Sequence, residues 1–206
     1  SNCQGNANQK NQSARKLRLS GLIQGLDVRL QEARAANLAH EEFLELLFQD
    51  ELLIRSQRLI ARRKKLATFR DSRTLEDFDW SFNTSIPKKE IYELATGQFI
   101  STAKDVLFIG PPGTGKSHLA QAIGMAAIRA GRMVLYHSIF DVVRDLFQDD
   151  NLKGHTKIMT QYLKPDLLII DDMGLKQLPP KAGEYLFEII MRRYENRSTL
   201  MTSNRP

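Results

Sequence analysis

The chain has 206 residues, of which 42% are hydrophobic, and its 12 glycines and 7 prolines are too few for a disordered chain. It contains no apolar run near the ~20 residues of a membrane span, its polar N-terminus has no signal-peptide core, and its single cysteine, Cys3, excludes an internal disulfide. These features predict a cytoplasmic protein with no membrane partner, built as one domain with an appendage or as two small domains.

The formal net charge of +6 is unevenly placed along the chain. Residues 15–73 carry 13 basic residues against 8 acidic ones, whereas residues 74–206 carry 16 of each. The basic character therefore belongs to the N-terminal third, which predicts a polyanionic partner for that part of the chain.

The first 14 residues are rich in Asn, Gln and Ser and show no hydrophobic periodicity, so we expect a disordered leader. From residue 15 apolar residues recur at helical spacing, and after a break near Asn37 a second helix is predicted over about residues 39–68. Residues 15–68 are thus predicted to form a small all-α domain for DNA binding or assembly.

Four basic residues of the second predicted helix share one face, because they are spaced three, four and three positions apart. They are Arg55, Arg58, Arg62 and Lys65. Such a ridge can follow the backbone of double-stranded DNA and contact phosphates rather than bases. The alternative is a solvated face near the C-terminus of a helix, but the charge imbalance of the N-terminal third favours DNA.

Residues 69–87 are predicted to be a linker. Phe78, Trp80 and Phe82 alternate with polar residues, as in an extended segment. One of these aromatic rings could contact an adenine, but we favour the simpler hypothesis that they seal the linker against the following domain. A short helix is predicted over residues 88–96, and it opens a domain that covers residues 88–206.

A glycine-rich motif follows the apolar run at residues 106–109 and opens a helical pattern. Its sequence, GPPGTGKS, fits the pattern G-x-x-x-x-G-K-[ST] in the strand-to-helix context of a phosphate-binding loop, and predicts binding of a nucleoside triphosphate. The glycines let backbone N–H groups wrap an anion, and the helix N-terminus favours the same charge. Lys116 would bind the β- and γ-phosphates, and the Ser117 hydroxyl would bind Mg²⁺. The candidate nucleotide-binding residues are Gly110, Pro111, Pro112, Gly113, Thr114, Gly115, Lys116, Ser117 and His118.

Strands and helices alternate through the rest of the chain. Strands are predicted at residues 133–136, 167–170 and 198–202, and helices at residues 139–147, about 156–163, and 180–196. This order predicts an α/β fold with a parallel sheet.

Two carboxylates follow the apolar strand at residues 167–170. Asp171 would hold Mg²⁺, usually through a water, and Asp172 would orient and polarise the attacking water. Asn204, at the end of the next strand, would lie at the same edge of the sheet, where ligands of open α/β sheets bind. It could donate to the γ-phosphate or position the water, although an Asn after a strand is often only a turn residue. The predicted catalytic residues are Lys116, Asp172 and Asn204.

These strand ends resemble elements of the AAA+ ATPases. The loop at residues 110–117 resembles Walker A, LLIIDD at 167–172 resembles Walker B, and STLMTSN at 198–204 resembles sensor 1. More narrowly, the helical lead-in, LEDFDW at 75–80 and GLKQLPPKAGEYLFEIIMRRYENRSTLMTSNRP at 174–206 resemble the IstB-type transposition helper ATPases, which are relatives of the DnaC/DnaI helicase loaders. The resemblance covers roughly residues 15–206. Walker A is generic to the superfamily, and residues 174–206 are the specific part.

The resemblance implies a P-loop AAA+ core that binds ATP and Mg²⁺ and hydrolyses ATP. It further implies ATP-dependent assembly of a homo-oligomer on double-stranded DNA, delivery of that DNA to the transposase of the same element, and stimulation of the transposase. Two departures matter. Many AAA+ proteins have Glu where this chain has Asp172, which implies slow turnover. The sequence ends just after the sensor 1 element, so the resemblance implies that the arginine finger and the last core strand follow residue 206. Arg192, Arg193 and Arg197 precede sensor 1 and do not match the finger's place.

Other functions remain open from the sequence. A helicase loader shares the ATPase core and differs in what its N-terminal helices bind. A small-molecule kinase also uses a phosphate loop, but it needs neither a water-orienting carboxylate nor a basic helical domain. A nucleotide-gated binding module would bind ATP and never hydrolyse it.

Overall fold

The computed structural model describes residues 12–147, 152–174 and 178–204. The chain divides into two compact units, Ser1–Ala61 and Arg62–Pro206, and each is described by itself. Most of the predicted leader, residues 1–11, lies outside the described residues, and residues 12–16 are helical.

The first unit is held together by two long helices, α1 (Ser20–Ala36) and α2 (His40–Ala67), of which α2 continues into the second unit. The buried carboxylate of Glu51 accepts hydrogen bonds from the backbone N–H groups of Gly21 (2.7 Å) and Leu22 (2.9 Å). These N–H groups lie in the first turn of α1 and have no acceptor within that helix, so Glu51 caps α1 from α2. Asp50 adds a two-point ion pair with Arg29, with distances of 2.8 and 2.9 Å.

Four parallel strands form the sheet of the second unit within the described residues. They are β1 (Val106–Ile109), β2 (Val134–Ser138), β3 (Leu167–Met173) and β4 (Ser198–Ser203), in the order β1-β4-β3-β2. β3 is central, and its residues from Leu167 to Asp171 are fully buried, because helices cover both faces of a parallel sheet. The predicted α/β fold is confirmed.

Six helices surround this sheet among the described residues. They are α3 (Lys88–Ala95), α4 (Gln98–Ser101), α5 (Lys116–Arg129), α6 (Ile139–Phe147), α7 (Leu152–Leu163) and α8 (Pro180–Arg193). One core cluster joins β2 and β3 to α6, α7 and α8, and it includes Leu135, Val142, Tyr162, Leu168 and Ile189. On the other face α5 packs so closely that a side chain at Gly124 would lie 2.8 Å from Ile169 Cδ1. No described helix has the length and apolar character needed to cross a membrane.

Arg193, at the end of α8, is fully buried and positively charged. Its guanidinium donates to the carbonyl oxygens of Tyr162 (2.8 Å), Pro165 (3.0 Å) and Ser198 (2.5 Å). Burial lowers its pKa to about 10, so it remains protonated at neutral pH. The Tyr162 carbonyl lies in the last turn of α7, where carbonyl oxygens have no N–H partner within the helix. The Arg193 guanidinium provides that missing hydrogen-bond donor.

The linker differs from the prediction of an extended segment. Residues 75–77 and 80–82 form turns, because short polar side chains bond locally: Thr74 Oγ1 donates to Asp77 (2.7 Å), and the backbone N–H of Ser81 donates to Asp79 (2.9 Å). Phe78 is buried, whereas Phe82 is 71% exposed. The alternation of aromatic and polar residues was therefore misleading, since these side chains do not line one face of a strand.

Candidate nucleotide-binding site

The loop from Gly110 to Gly115 joins β1 to α5 and adopts backbone angles that only glycine reaches without strain. Gly113 has φ 78° and Gly115 has φ 91°. A Cβ on Gly115 would also lie 2.6 Å from Cε2 of Phe78, which closes over this end of the loop. The first residues of α5, Lys116 and Ser117, follow at once, so the loop and a helix N-terminus face the same point.

The Lys116 ammonium is held within the loop. Its Nζ donates to the carbonyl oxygens of Gly110 (2.8 Å) and Pro111 (2.7 Å). Burial lowers the pKa of Lys116, while the charges of Asp171 and Asp172 act in the opposite direction. Within the part of the chain that the structure describes, the Lys116 ammonium donates to two carbonyl oxygens and to the Thr114 hydroxyl, all within the loop. It can exchange these neutral acceptors for an anion, because hydrogen bonds between ionised groups are stronger.

Asp171 is the centre of a hydrogen-bond network at the C-terminal end of β3. Its Oδ1 accepts from Ser117 Oγ (3.0 Å), from the N–H of Asp172 (3.0 Å) and from Thr202 Oγ1, and its Oδ2 accepts from the Tyr136 hydroxyl (2.5 Å). The structure therefore brings Ser117 and Asp171, both predicted magnesium ligands, into contact. A hydroxyl and a carboxylate oxygen side by side fit Mg²⁺, which takes oxygen ligands and keeps several waters.

Asp172 lies on a bulge of β3, where the register with β4 shifts between Ile170 and Met173. Its φ is 64°, in the left-handed region, which Asp tolerates better than most residues. Its N–H donates to Thr202 Oγ1 (3.1 Å), and its Oδ2 lies 3.4 Å from Nη2 of Arg70. The bulge turns this carboxylate away from the buried position of Asp171, leaving its side chain 24% exposed.

Asn204 follows β4 at the same edge of the sheet. Its backbone N–H donates to the carbonyl of Met173 (3.4 Å), and the neighbouring carbonyl of Ser203 accepts from the N–H of Gly110 (3.2 Å). Asp172 and Asn204 thus lie on the ends of adjoining strands, and the third predicted catalytic residue, Lys116, lies at the start of the neighbouring α5. Their roles are not tested by this geometry and remain predictions.

His118, another predicted nucleotide contact, has its ring engaged by the linker. Its Nε2 lies 2.9 Å from the carbonyl oxygen of Thr74, and the Phe78 ring meets it edge-on with centroids 5.1 Å apart. The aromatic contact continues from Phe78 to Trp80 (4.9 Å) and from Trp80 to a stacked Tyr92 (5.6 Å). The linker is therefore packed against the start of α5 by a row of rings.

Sequence reasoning missed several groups of the site, namely Arg70, Tyr136 and Thr202. Tyr136 and Thr202 are polar residues inside buried strands, and that polarity was the one available signal. Burial raises the pKa of the Tyr136 hydroxyl, and its hydrogen bond to Asp171 acts in the same direction, so it stays a donor. Nothing in the pattern around Arg70 distinguishes it from the other basic residues of this region.

A cavity of about 420 Å³ adjoins the loop. It lies between the segment at residues 83–91 and strand β1, and the loop residues Gly110, Pro111, Thr114 and Lys116 line one side of it. Apolar walls come from Ile86, Ile91 and Phe108, among others. A pocket with apolar walls next to a phosphate-binding loop suits the base and ribose of a nucleotide.

The predicted DNA-binding residues are partly engaged within their own units. Arg55 Nε lies 2.7 Å from Glu51, and its guanidinium also donates to the carbonyl of Arg18 (3.2 Å). Arg58 donates to the Ser20 hydroxyl. Arg62 and Lys65 belong to the second unit and are exposed. DNA binding at these residues stays a prediction.

Comparison with known protein families finds one that spans nearly the whole chain. The family described as "IstB-like ATP binding protein" matches residues 12–206. A protein named for ATP binding in insertion sequence IS5376 of Geobacillus stearothermophilus is 37% identical over 173 residues, which cover 84% of this chain and 69% of that protein. A similarly named protein of insertion sequence IS21 from Pseudomonas aeruginosa is 32% identical over 190 residues, which cover 92% of this chain and 72% of that protein.

Solved structures with the same fold include the DnaC helicase loader, DnaI and the replication initiator DnaA. The DnaC helicase loader is 28% identical with a TM-score of 0.50, and the match covers 57% of this chain and 68% of that one. DnaI is 22% identical with a TM-score of 0.52, and the match covers 68% of this chain and 74% of DnaI. The replication initiator DnaA bound to AMPPCP and single-stranded DNA is 24% identical with a TM-score of 0.56, covering 67% of this chain but only 43% of that one. The last two likenesses concern the fold alone.

Proposed function

Because this chain belongs to the IstB-like ATP-binding proteins and has the P-loop AAA+ fold, we propose that it hydrolyses ATP, assembles on DNA and assists the transposase of its insertion sequence. One observation carries the ATPase part. Ser117 Oγ lies 3.0 Å from Asp171 Oδ1 beside a glycine-rich loop, with the further carboxylate of Asp172 on the same strand end.

The nucleotide is proposed to bind with its phosphates on the loop and its nucleoside in the adjoining cavity. Backbone N–H groups of the loop and the N-terminus of α5 would face the phosphates, and Lys116 would give up its carbonyl partners to pair with them. Ser117 and Asp171 would hold Mg²⁺, the latter usually through a water. The metal would neutralise charge on the phosphates.

Hydrolysis requires a water in line with the γ-phosphate. Asp172 would orient and polarise this water, and the Asn204 amide would hydrogen-bond to the γ-phosphate or to the water. Asp172 is one methylene shorter than the Glu found in many AAA+ proteins. Slow ATP hydrolysis would suit a protein whose hydrolysis sets the lifetime of an assembly better than one that performs continuous mechanical work.

The DNA part of the proposal depends on charge. The excess of basic residues lies in residues 15–73, where Arg55, Arg58, Arg62 and Lys65 share a helix face. Such a surface supports contact with phosphates of double-stranded DNA without sequence preference. The names of the relatives connect them with insertion sequences, which supports a transposase as partner. The acting form is proposed to be an ATP-dependent homo-oligomer, as the resemblance to the IstB-type helper ATPases implies.

Electron microscopy with long duplex DNA tests this function. We expect filaments or rings on DNA with ATP and none without it, and retention of the transposase encoded by the same element on those assemblies. The same assemblies without ATP would contradict the ATP-dependent step.

A helicase loader is the second candidate, favoured by the likeness to DnaC. Retention of a hexameric helicase in place of the transposase would support that function. Release of phosphate without any acceptor molecule would exclude a small-molecule kinase, and ATP binding without phosphate release would leave a nucleotide-gated binding module.

A further inference from the structure

The segment that follows α2 is fixed to the ATPase site on both sides of Arg70. Before it, Thr68 Oγ1 donates to the carbonyl of Tyr136 (2.7 Å), and the Phe69 ring packs against the Tyr136 ring with centroids 5.9 Å apart. After it, the N–H of Asp71 donates to Gln121 Oε1 (3.2 Å).

Both anchors belong to the hydrogen-bond network around Asp171. Tyr136 donates to Asp171, and the buried Gln121 donates to the carbonyl of Ser117 (3.2 Å). The backbone of Arg70 is thus held by the same strand and helix that position the predicted metal ligands. Arg70 therefore lies beside the site because its backbone is anchored there by packing and hydrogen bonds.

The Arg70 guanidinium extends to the strand end that carries the carboxylates. Nη2 lies 3.4 Å from Asp172 Oδ2, and the side chains are 53% and 24% exposed. Burial acts to lower the pKa of Arg70, but the surrounding negative charges, including those of Asp171 and Asp172, raise it above its usual value. The water-orienting carboxylate of the proposed function is therefore in contact with a cation that the known phosphate-loop pattern does not include.

We propose that Arg70 is a positioning residue that restrains the Asp172 carboxylate and slows ATP hydrolysis until the guanidinium moves away. This inference rests on the proposed role of Asp172 in orienting the attacking water. An oxygen bonded to a guanidinium is less available to accept a hydrogen bond from water. The side chain is also held toward Arg70, away from other rotamers.

The restraint is weak enough to be released in each cycle. The pair is long and partly exposed, and such pairs bias an equilibrium by no more than about fivefold. Its removal should accordingly raise turnover about two- to fivefold, without the large change that loss of a catalytic group produces.

Steady-state ATPase kinetics of Arg70→Gln test the inference, with direct measurement of ATP binding and of the melting temperature. We expect kcat to rise about two- to fivefold, with the dissociation constant for ATP and the melting temperature unchanged. Arg70→Lys keeps the charge and should stay closer to the wild type. The matched control is Arg73→Gln, since Arg73 pairs with the exposed Asp71 (3.1 Å) in the same segment.

The outcomes separate the inference from the proposed function. An equal or lower kcat in Arg70→Gln, with wild-type turnover measurable and ATP still bound, would overturn the inference and leave the ATPase function standing. An equal rise in Arg73→Gln would also overturn it, because the effect would then come from net charge. Absence of hydrolysis in the wild type and in every variant would contradict the proposed function and the inference together.

Discussion

The hydroxyl of Tyr136 on β2 donates a 2.5 Å hydrogen bond to Oδ2 of Asp171 on β3. Both side chains are buried, and the other oxygen of Asp171 accepts from Ser117 at the start of α5 and from Thr202 on β4. A carboxylate fixed from two neighbouring strands and a helix has little freedom to rotate. The strand end is therefore preorganised before any ligand binds.

Tyr136→Phe should destabilise the second unit by about 1.5–3 kcal/mol, because a buried charged acceptor loses a donor while the ring packing is kept. Urea unfolding followed by circular dichroism measures this change. Tyr194→Phe removes a hydroxyl from an exposed ring at the end of α8 and serves as the control. Equal stability of Tyr136→Phe and the wild type would show that Asp171 does not depend on this hydrogen bond.

Lys116→Ala should abolish ATP binding at concentrations that saturate the wild type, because the phosphates lose the cation that the loop supplies. Calorimetric titration with ATP and Mg²⁺ measures the affinity directly. Lys89→Ala removes an exposed lysine from α3 and should bind as the wild type does. An unchanged affinity in Lys116→Ala would mean that the nucleotide binds elsewhere.

Asp172→Asn should keep ATP binding and slow hydrolysis by at least about a hundredfold, because an amide cannot polarise the water as a carboxylate does. Phosphate release and ATP binding are measured on the same preparation, and assemblies on DNA should persist longer. Asp77→Asn, in an exposed turn of the linker, is the matched change. Wild-type turnover in Asp172→Asn would place the water-orienting group on another residue.

Replacement of Arg55, Arg58, Arg62 and Lys65 by Gln should weaken DNA binding and flatten its salt dependence. Each phosphate contact contributes about −0.9 to the slope of log K against log[salt], so the slope should change by roughly three to four units if every one makes contact. Arg55 and Arg58 must first leave their partners Glu51 and Ser20 to contact phosphates, so we expect a change in slope of about three units. ATP binding should be unchanged.

The control for this variant removes the same charge from exposed positions of the second unit. Lys89, Lys104, Arg129 and Lys164 are exposed and suit this purpose. Fluorescence anisotropy with duplex DNA at several salt concentrations measures both slopes. A full slope in the first variant would show that the helix face is only solvated.

Local sequence patterns predicted the parts of the fold whose cause is local. The apolar runs that became β2 and β3 and the strand–loop–helix around Lys116 are specified by neighbouring residues, so the α/β fold followed from them. The contacts of Asp171 with Tyr136 and of Asp172 with Arg70 join residues 35 and 102 positions apart. These residues become neighbours only when the sheet is packed, so the hydrophobic periodicity of the sequence does not indicate their contacts.

The contacts of charged and polar side chains also could not be predicted from local sequence patterns. Arg193 fits the apolar register predicted for α8, yet nothing in that register shows that its guanidinium would be fully buried among carbonyl oxygens. In the linker, the side-chain bonds of Thr74 and Asp79 prevailed over the alternation of Phe78, Trp80 and Phe82.

The row of rings beside the phosphate loop gives the protein an optical probe of its own. Trp80 is the single tryptophan of the chain, and its neighbour Phe78 closes over Gly115 of the loop. Because indole emission responds to the packing and polarity around the ring, a movement of the loop that displaces Phe78 changes the emission of Trp80. Nucleotide binding that moves the loop can then be followed in real time without a label.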